Sequence, residues 1–278
     1  MDKKMIGEFA QALFDAEQSH QGVQPLTERN PAFNVDAAYE VQMKNVSRAQ
    51  GMGYQISGKK IGLTSLPMQK QMGVGEPDYG HLFEAMECKD GCINTEVLIQ
   101  PKIEAELAFV LKKDLRGGSV TVADVDEATE YVVGAFEIVD SRVADWRIKL
   151  PDTIADNASS GRYVLGQTRI TPKSIDLAAV AMKLYKMTYA GDQAAAPAGQ
   201  VSSAASMALL GEGTGAAVMG DPRMAVAWLA NKLWDYGVEL KAGEVVLSGA
   251  FSAAPAAQKG DVFRVDFTDF GSVEARFV

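Results

Sequence analysis

The stretch PKIEAELAFV, from Pro101 to Val110, restricts what this chain can become. Read with the two-residue alternation of a strand, Ile103, Ala105, Leu107 and Phe109 fall on one face. Glu104, Glu106, Ala108 and Val110 fall on the other. Apolar residues on both faces require a strand that is covered on both sides. Glu104 and Glu106 then lie two positions apart on one shielded face. An unpaired ionised carboxylate in such a setting costs on the order of several kcal/mol, so each must be protonated, ion-paired or bound to metal. In YVVGAFEIVD a third carboxylate, Glu137, shares a strand face with Ala135 and Val139. Three hard oxygen donors with no His or Cys nearby in sequence select Mg²⁺ or Mn²⁺ over zinc or copper. Ion pairs with Arg142 or Lys102, or a wet sheet edge, are the competing explanations, and the common E-x-E spacing does not choose among them.

The remaining periodicities divide the chain. Met5, Ile6, Phe9, Ala10 and Leu13 repeat at helical spacing, and Asn34 suits the N-cap of a second helix running to about Gly51. YQISGKKIGLTS reads as a strand interrupted by glycines, and SLPMQKQMGV as a short helix. Strands are expected at Val97–Ile99, Ile103–Leu111, Val132–Val139, Tyr163–Leu165, around Val180–Leu184, and at Val245–Ser248, Val262–Phe267 and Val273–Val278. Helices are expected over VADVDEATEYV and from Asp221 to Gly237. The Ala/Gly/Ser-rich segment 190–213 reads as a loop or a weak helix. Helices first and strands later give an α+β fold: an N-terminal helical part, residues 1–65, and a β-rich catalytic core, residues 66–278, as one compact unit.

A net charge of −9 without a Lys/Arg cluster argues against nucleic acid as a partner. Cys88 and Cys92, spaced C-x3-C, make neither a redox pair nor a zinc site and suit a reducing cytoplasm. Asp2, Glu8 and Asp15 interrupt any signal-peptide pattern, and no apolar run reaches membrane length, so no membrane association is expected. No G-x-S-x-G elbow, P-loop or G-x-G-x-x-G follows a strand.

Further candidates lie outside the glutamates. Lys60 sits between Gly58 and Gly62, where glycines admit a ligand or another backbone. A lysine in apolar surroundings has a lowered pKa and serves as acid, base or anion contact; otherwise it is a solvated strand residue. In EPDYGHLF, Asp78 reads as an exposed turn residue between Pro77 and Gly80, and His81 as a general base or a structural or surface histidine. DTIADNASSG crowds Asp152, Asp156, Asn157, Ser159 and Ser160 into one loop, suited to a substrate carboxylate or to ordinary turns.

In order, GKKIGLTS, EPDYGHLF, PKIEAELAFVL, FEIVDSR, DTIADNASSG, GAAVMGDP, VAWLANKL, LKAGEVVLSG and GSVEARF resemble the 2-oxopent-4-enoate (2-hydroxypentadienoate) hydratase family. That family belongs to the hydratase/decarboxylase branch of the fumarylacetoacetate hydrolase superfamily. PLTERNP and DAAYEVQ extend the likeness to nearly the whole chain. The resemblance implies a mixed β-roll core with an N-terminal helical part. It also implies Mg²⁺ or Mn²⁺ on Glu104, Glu106 and Glu137, acid/base roles for Lys60 and Asp78, and substrate-carboxylate contacts at Ser160 and Ser248. The implied reaction hydrates a small 2-oxo or 2-hydroxydienoic acid, in a cytoplasmic homo-oligomer. Ala250 stands where relatives often carry Ser or Thr. The nearest rival activity is decarboxylation of 4-oxalocrotonate, whose enzymes usually lack the aspartate of PDYG. Acylpyruvate hydrolysis would need a His–Glu pair in an N-terminal lid; His20 lacks a Glu three residues on, and His81 with Glu84 sits elsewhere. A non-catalytic cation-stabilised keto-acid binding protein would need neither Lys60 nor Asp78.

Overall fold

A computed structural model describes residues 2–189 and 206–278. Helix α1 (Lys3–Ser19) starts at Asp2, whose carboxylate accepts the Lys4 N–H at 3.2 Å, and it buries Ile6, Phe9, Ala10, Leu13 and Ala16. A short α2 (Leu26–Arg29) leads to α3 (Val35–Gly51), which Asn34 caps by accepting the Ala37 N–H at 3.1 Å. Fully buried Gln42 of α3 donates to the carbonyls of Tyr79 and Ile154, both at 2.9 Å. Tyr39 stacks on Tyr79 with ring centroids 4.9 Å apart. These contacts bond the helical part to the sheet beneath it.

That sheet has six strands: β1 (Ile56–Gly62), β2 (Asp78–Phe83), β4 (Lys102–Leu111), β5 (Thr129–Val139), β6 (Ser160–Leu165) and β9 (Val245–Leu247), in the order β2-β1-β9-β4-β5-β6. β1 therefore belongs to the sheet although it precedes residue 65. The second sheet runs β3-β11-β10-β7-β8, with β3 at Cys92–Ile93, β7 at Ala181–Thr188, β8 at Ser206–Thr214, β10 at Val262–Phe267 and β11 at Gly271–Phe277. Pairing is antiparallel except for β1 with β9 and β11 with β3, so both sheets are mixed. Helices α4 (Leu66–Met72), α5 (Val122–Ala128), α6 (Leu150–Ala155) and α7 (Pro222–Trp234) complete the described elements. The expected α+β mixed roll is the observed one.

Both faces of β4 are covered, as its sequence required. Ile103, Ala105, Leu107 and Phe109 enter the main core together with Phe263, Val265 and Phe267 of the second sheet. Each such fully buried large side chain contributes about 1.5–3 kcal/mol. Gly134 of β5 marks a close approach between sheets, since a Cβ there would stand 2.7 Å from the Phe267 ring. On the opposite face Ala108 and Val110 join Leu82, Val133, Ala135, Tyr163, Val245 and Leu247 in a second cluster. The first sheet curls around this cluster. The segment after β2 meets β6, where the Cys88 N–H donates to the Tyr163 carbonyl at 2.8 Å and Tyr163 Oη lies 3.3 Å from Ser57 Oγ.

Three expected elements differ. Val97–Ile99 is no strand: a single 3₁₀ turn covers Thr95–Val97, and the Asp140 carboxylate takes the N–H groups of Ile99 and Gln100 at 3.0 and 2.7 Å, in place of a neighbouring strand. The helix over VADVDEATEYV stops at Ala128, and the β-branched and aromatic residues that follow pair with β4. Within the segment read as loop or weak helix, residues 206–214 form β8, because β7 supplies a pairing edge that local composition does not reveal. Residues 190–205 of that segment lie outside the described residues.

Candidate active site

The row that Ala108 and Val110 occupy continues along β4 to Glu106 and Glu104. The β4–β5 register sets Glu104 directly opposite Glu137 and Glu106 opposite Ala135. Carboxylate oxygens from the three glutamates lie within 4.8 Å of one another. Like charges facing across a strand pair are destabilising, and here Glu106 and Glu137 are also buried. Burial and mutual repulsion push the cluster upward: Glu104 to about 7, and Glu106 well above the ordinary carboxylate range. Burial likewise raises Glu137, although Lys60 draws it back.

Partners are few. Glu106 accepts the Gly249 N–H at 2.5 Å through Oε2, while its Oε1 has no hydrogen-bond partner among the described residues. Lys60 Nζ stands 3.1 Å from Glu137 Oε1 as an ion pair without hydrogen-bond alignment, so both Glu137 oxygens remain unbonded among the described residues. Buried unbonded oxygens are rare in folded proteins. When ionised, the three carboxylates beside one ammonium require two further positive charges, and the orphaned oxygens are hard donors. The residues therefore fit a divalent cation. The expected alternative partners are engaged elsewhere: Arg142 binds Asp156, and Lys102 lies 4.2 Å above the Trp146 ring centroid.

Lys60 is not a solvated strand residue. It is 3% exposed, and its Nζ donates to the Ala158 carbonyl at 2.8 Å. Nor is its pKa lowered. Burial acts in that direction, but Glu137, Glu104, Asp78 and Glu106 outweigh it and hold the ammonium above its ordinary value. Asp78 is likewise no exposed turn residue. It opens β2 at 1% exposure, because its backbone pairs with Gly62 of β1. Burial raises its pKa, against the opposing pull of Lys60 and of the Thr153 hydroxyl, which donates to Oδ2 at 3.2 Å. Gly62 makes the room: a Cβ there would stand 2.2 Å from Asp78 Oδ1.

The polar residues of DTIADNASSG are largely occupied in holding structure. Asp152 accepts the Thr27 N–H and hydroxyl at 2.9 and 2.7 Å, tying α2 to α6. Asp156 accepts from Arg142, Ser141 and Ser159. Ser160 donates to the Asn157 carbonyl at 2.7 Å, and Ser248 to the Leu107 carbonyl at 2.8 Å. His81 is buried, and burial followed by the charge of Lys59 pushes its imidazole down to about 3, so it stays neutral. Cys88 and Cys92 are free thiols.

Sequence reading did not single out Thr153, the Gly249 N–H or the Ala158 carbonyl, each of which touches a site residue. Only Gly249 carried a signal, following a strand in LSGA. Its φ of 111°, and the Thr64 hydroxyl 2.3 Å from where a Cβ would lie, confine the position to glycine. A cavity of about 250 Å³ lies away from the glutamates, between α1, α3 and the 157–162 segment; Phe14, Gln42, Val46, Phe83 and Arg162 are among its walls. The carboxylates rather than this space mark the chemistry, because the charges and orphaned oxygens concentrate there.

Residues 90–278 match the family described as Fumarylacetoacetate (FAA) hydrolase C-terminal. The chain is 42% identical over 279 residues to the 2-hydroxyhexa-2,4-dienoate hydratase of Comamonas testosteroni, covering 99% of this chain and 98% of that one. It is 44% identical over 271 residues to the 2-keto-4-pentenoate hydratase of Paraburkholderia xenovorans, covering 97% and 94%. Among solved structures it is similar to the 4-oxalocrotonate decarboxylase of Pseudomonas putida complexed with magnesium and adipate. The TM-score is 0.89 at 32% identity, over 100% of this chain and 99% of that one.

Proposed function

Since the chain belongs to the fumarylacetoacetate hydrolase family and, within it, to the 2-hydroxypentadienoate hydratases, we propose that it is a hydro-lyase. It adds water to a 2-hydroxy-2,4-dienoate, through the 2-oxo-enoate tautomer, to give a 4-hydroxy-2-oxo acid in meta-cleavage breakdown of aromatic compounds. Glu104, Glu106 and Glu137 would hold Mg²⁺ or Mn²⁺, which when bound supplies Lewis acidity and charge neutralisation to an α-keto acid.

The side chains divide the proton work. Lys60, held protonated by its carboxylate neighbours, delivers a proton to carbon. Asp78 keeps Oδ2 on the Thr153 hydroxyl and orients water with its other oxygen, accepting the proton as the water oxygen joins C4. Asp78 then returns the proton taken from water to Lys60, directly or through solvent, so both groups end as they began. The balance over the cycle is one H₂O added, its oxygen at C4 and its hydrogen at C3. Burial of both groups keeps bulk water from competing. For Ser160 and Ser248, contact with the substrate carboxylate requires the hydroxyl hydrogen to turn away from Asn157 or Leu107. We further propose a homo-oligomer working in the cytoplasm, in keeping with the free thiols of Cys88 and Cys92.

Asp78 carries the choice of hydration over the decarboxylation catalysed by the structural relative. Loss of CO₂ from a 2-oxo-3-enedioate needs no attacking water, whereas the glutamates and Lys60 serve either reaction. Asp78→Asn should lower hydration of 2-hydroxypenta-2,4-dienoate by about 10²–10⁴-fold, with cation binding intact. Product formation would be followed by chromatography at saturating Mg²⁺. Near-parental hydration would remove Asp78 from the mechanism, and with it the residue-level reason for preferring hydration over decarboxylation.

A further inference from the structure

Asn157, Ala158 and Ser159 take consecutive φ values of 55°, 50° and 52°. Three successive left-handed residues without a glycine are unfavourable, and Ala158 has no side-chain hydrogen bond to offset the strain. The surrounding structure holds this turn from several directions. Arg142 donates to the carbonyls of Asp140 and Ser160 at 2.6 and 2.8 Å and pairs with Asp156. On the other side the Asn157 side chain meets β2 as a neighbouring strand would. Its Oδ1 accepts the His81 N–H at 2.7 Å, and its Nδ2 donates to the His81 carbonyl at 2.9 Å. β2 is an edge of its sheet, so these two groups would otherwise lie unpaired.

The clamp has a geometric consequence. His81 pairs with Lys59 across the β1–β2 ladder, and Gly80 pairs with Lys60. Docking Asn157 at His81 therefore lays the turn across Gly80, where a Cβ would stand 2.2 Å from the Asn157 carbonyl oxygen and 2.8 Å from Ser160 Oγ. Only a bare Cα admits the backbone this close. The turn then delivers the Ala158 carbonyl to Lys60 Nζ at 2.8 Å, across 98 residues of sequence.

We propose that Asn157 is a positioning residue for Lys60: its two bonds to the edge of β2 fix the strained turn whose Ala158 carbonyl holds the lysine ammonium in place. The carbonyl takes one of three ammonium donors and stops the long side chain from relaxing onto Glu137. The remaining donors are left for the glutamate and the substrate. The proposal rests on Lys60 as the proton-transfer group.

The experiment compares the parent, Asn157→Gly and Asn157→Ala. Glycine suits the positive φ, so Asn157→Gly removes the clamp without adding strain. Both variants should lose about 10–100-fold in kcat for hydration of 2-hydroxypenta-2,4-dienoate, because a displacement near 1 Å has this kind of effect on an acid/base group. KM should stay within about 3-fold of the parent, and Mn²⁺ affinity by calorimetry should not change. A parental kcat for Asn157→Gly overturns the proposal, as does parallel loss of Mn²⁺ binding or of the cooperative melting transition in both variants. A crystal structure of Asn157→Gly separates this claim from the functional reading. If the parent hydrates no dienoate, the functional reading has failed. Lys60 Nζ then still decides the positioning claim: departure from the Ala158 carbonyl supports it, and retention of the parental hydrogen bond overturns it.

Discussion

Replacing Gly62 by alanine places a methyl carbon 2.2 Å from Asp78 Oδ1. Cβ contacts below 3.0 Å essentially do not occur, so the oxygen must retreat by at least about 0.8 Å. The strand pairing of Gly62 with Asp78 holds both backbones, which leaves rotation of the aspartate as the main escape. That rotation disturbs the Thr153 bond at 3.2 Å. Lys60 Nζ, 3.7 Å from the new methyl, is in ordinary contact and has no cause to move. Overpacking typically costs about 1–3 kcal/mol, and alanine in place of a strand glycine recovers roughly 0.5–1 kcal/mol. The net loss of roughly 0–2.5 kcal/mol lowers the melting temperature by at most several degrees in a chain of this size. Misplacing a reacting group by nearly 1 Å costs on the order of 10²-fold in rate. Gly62→Ala should therefore fold, bind Mn²⁺ with parental affinity in calorimetry, and hydrate 2-hydroxypenta-2,4-dienoate about 100-fold more slowly. Parental turnover would refute the role given to the Asp78 oxygen. Loss of cation binding together with rate would show that the damage spread beyond it.

Other consequences concern the glutamates. Glu106→Gln should abolish most Mg²⁺ or Mn²⁺ binding by calorimetry while the metal-free protein melts no lower than the parent, because the amide is a neutral match for a carboxyl that burial and its neighbours already push toward the protonated form, and its oxygen still accepts from Gly249. Parental affinity in that variant would withdraw Glu106 as a ligand. Millimolar Mg²⁺ or Mn²⁺ should raise the parental melting temperature; a concentration 100 times Kd corresponds to about 2.7 kcal/mol. Cation affinity should also rise with pH through about 7, because the raised carboxyls, Glu104 among them, retain protons that the ion must displace. The metal-free protein shows the linked effect. Carboxyls whose folded pKa lies above the unfolded value stabilise fully below the unfolded value, and that contribution is lost as pH rises through about 7. Calorimetry in two buffers of different ionisation enthalpy would reveal the released protons, and a flat pH profile would contradict the shared-proton picture.

The sequence by itself determined the parts of this protein that depend on near neighbours. Alternation from Ile103 to Val110 specified a strand buried on both faces, the same alternation placed Glu104, Glu106 and Glu137 on shielded faces, and capping residues set the starts of α1, α3 and α7. The ordered motifs carried the family. Tertiary structure decided which groups meet. Asp78 lay in a turn-forming sequence, yet strand pairing buried it beside Thr153, 75 residues away. Lys60 had the local signature of a solvated strand lysine until Ala158 and Glu137 closed on it. Gly249 reached Glu106 across 143 residues. Local patterning fixes which way a side chain faces, because strand geometry repeats every two residues. The charges it faces are set by strand order and register, which depend on the packing of the whole core.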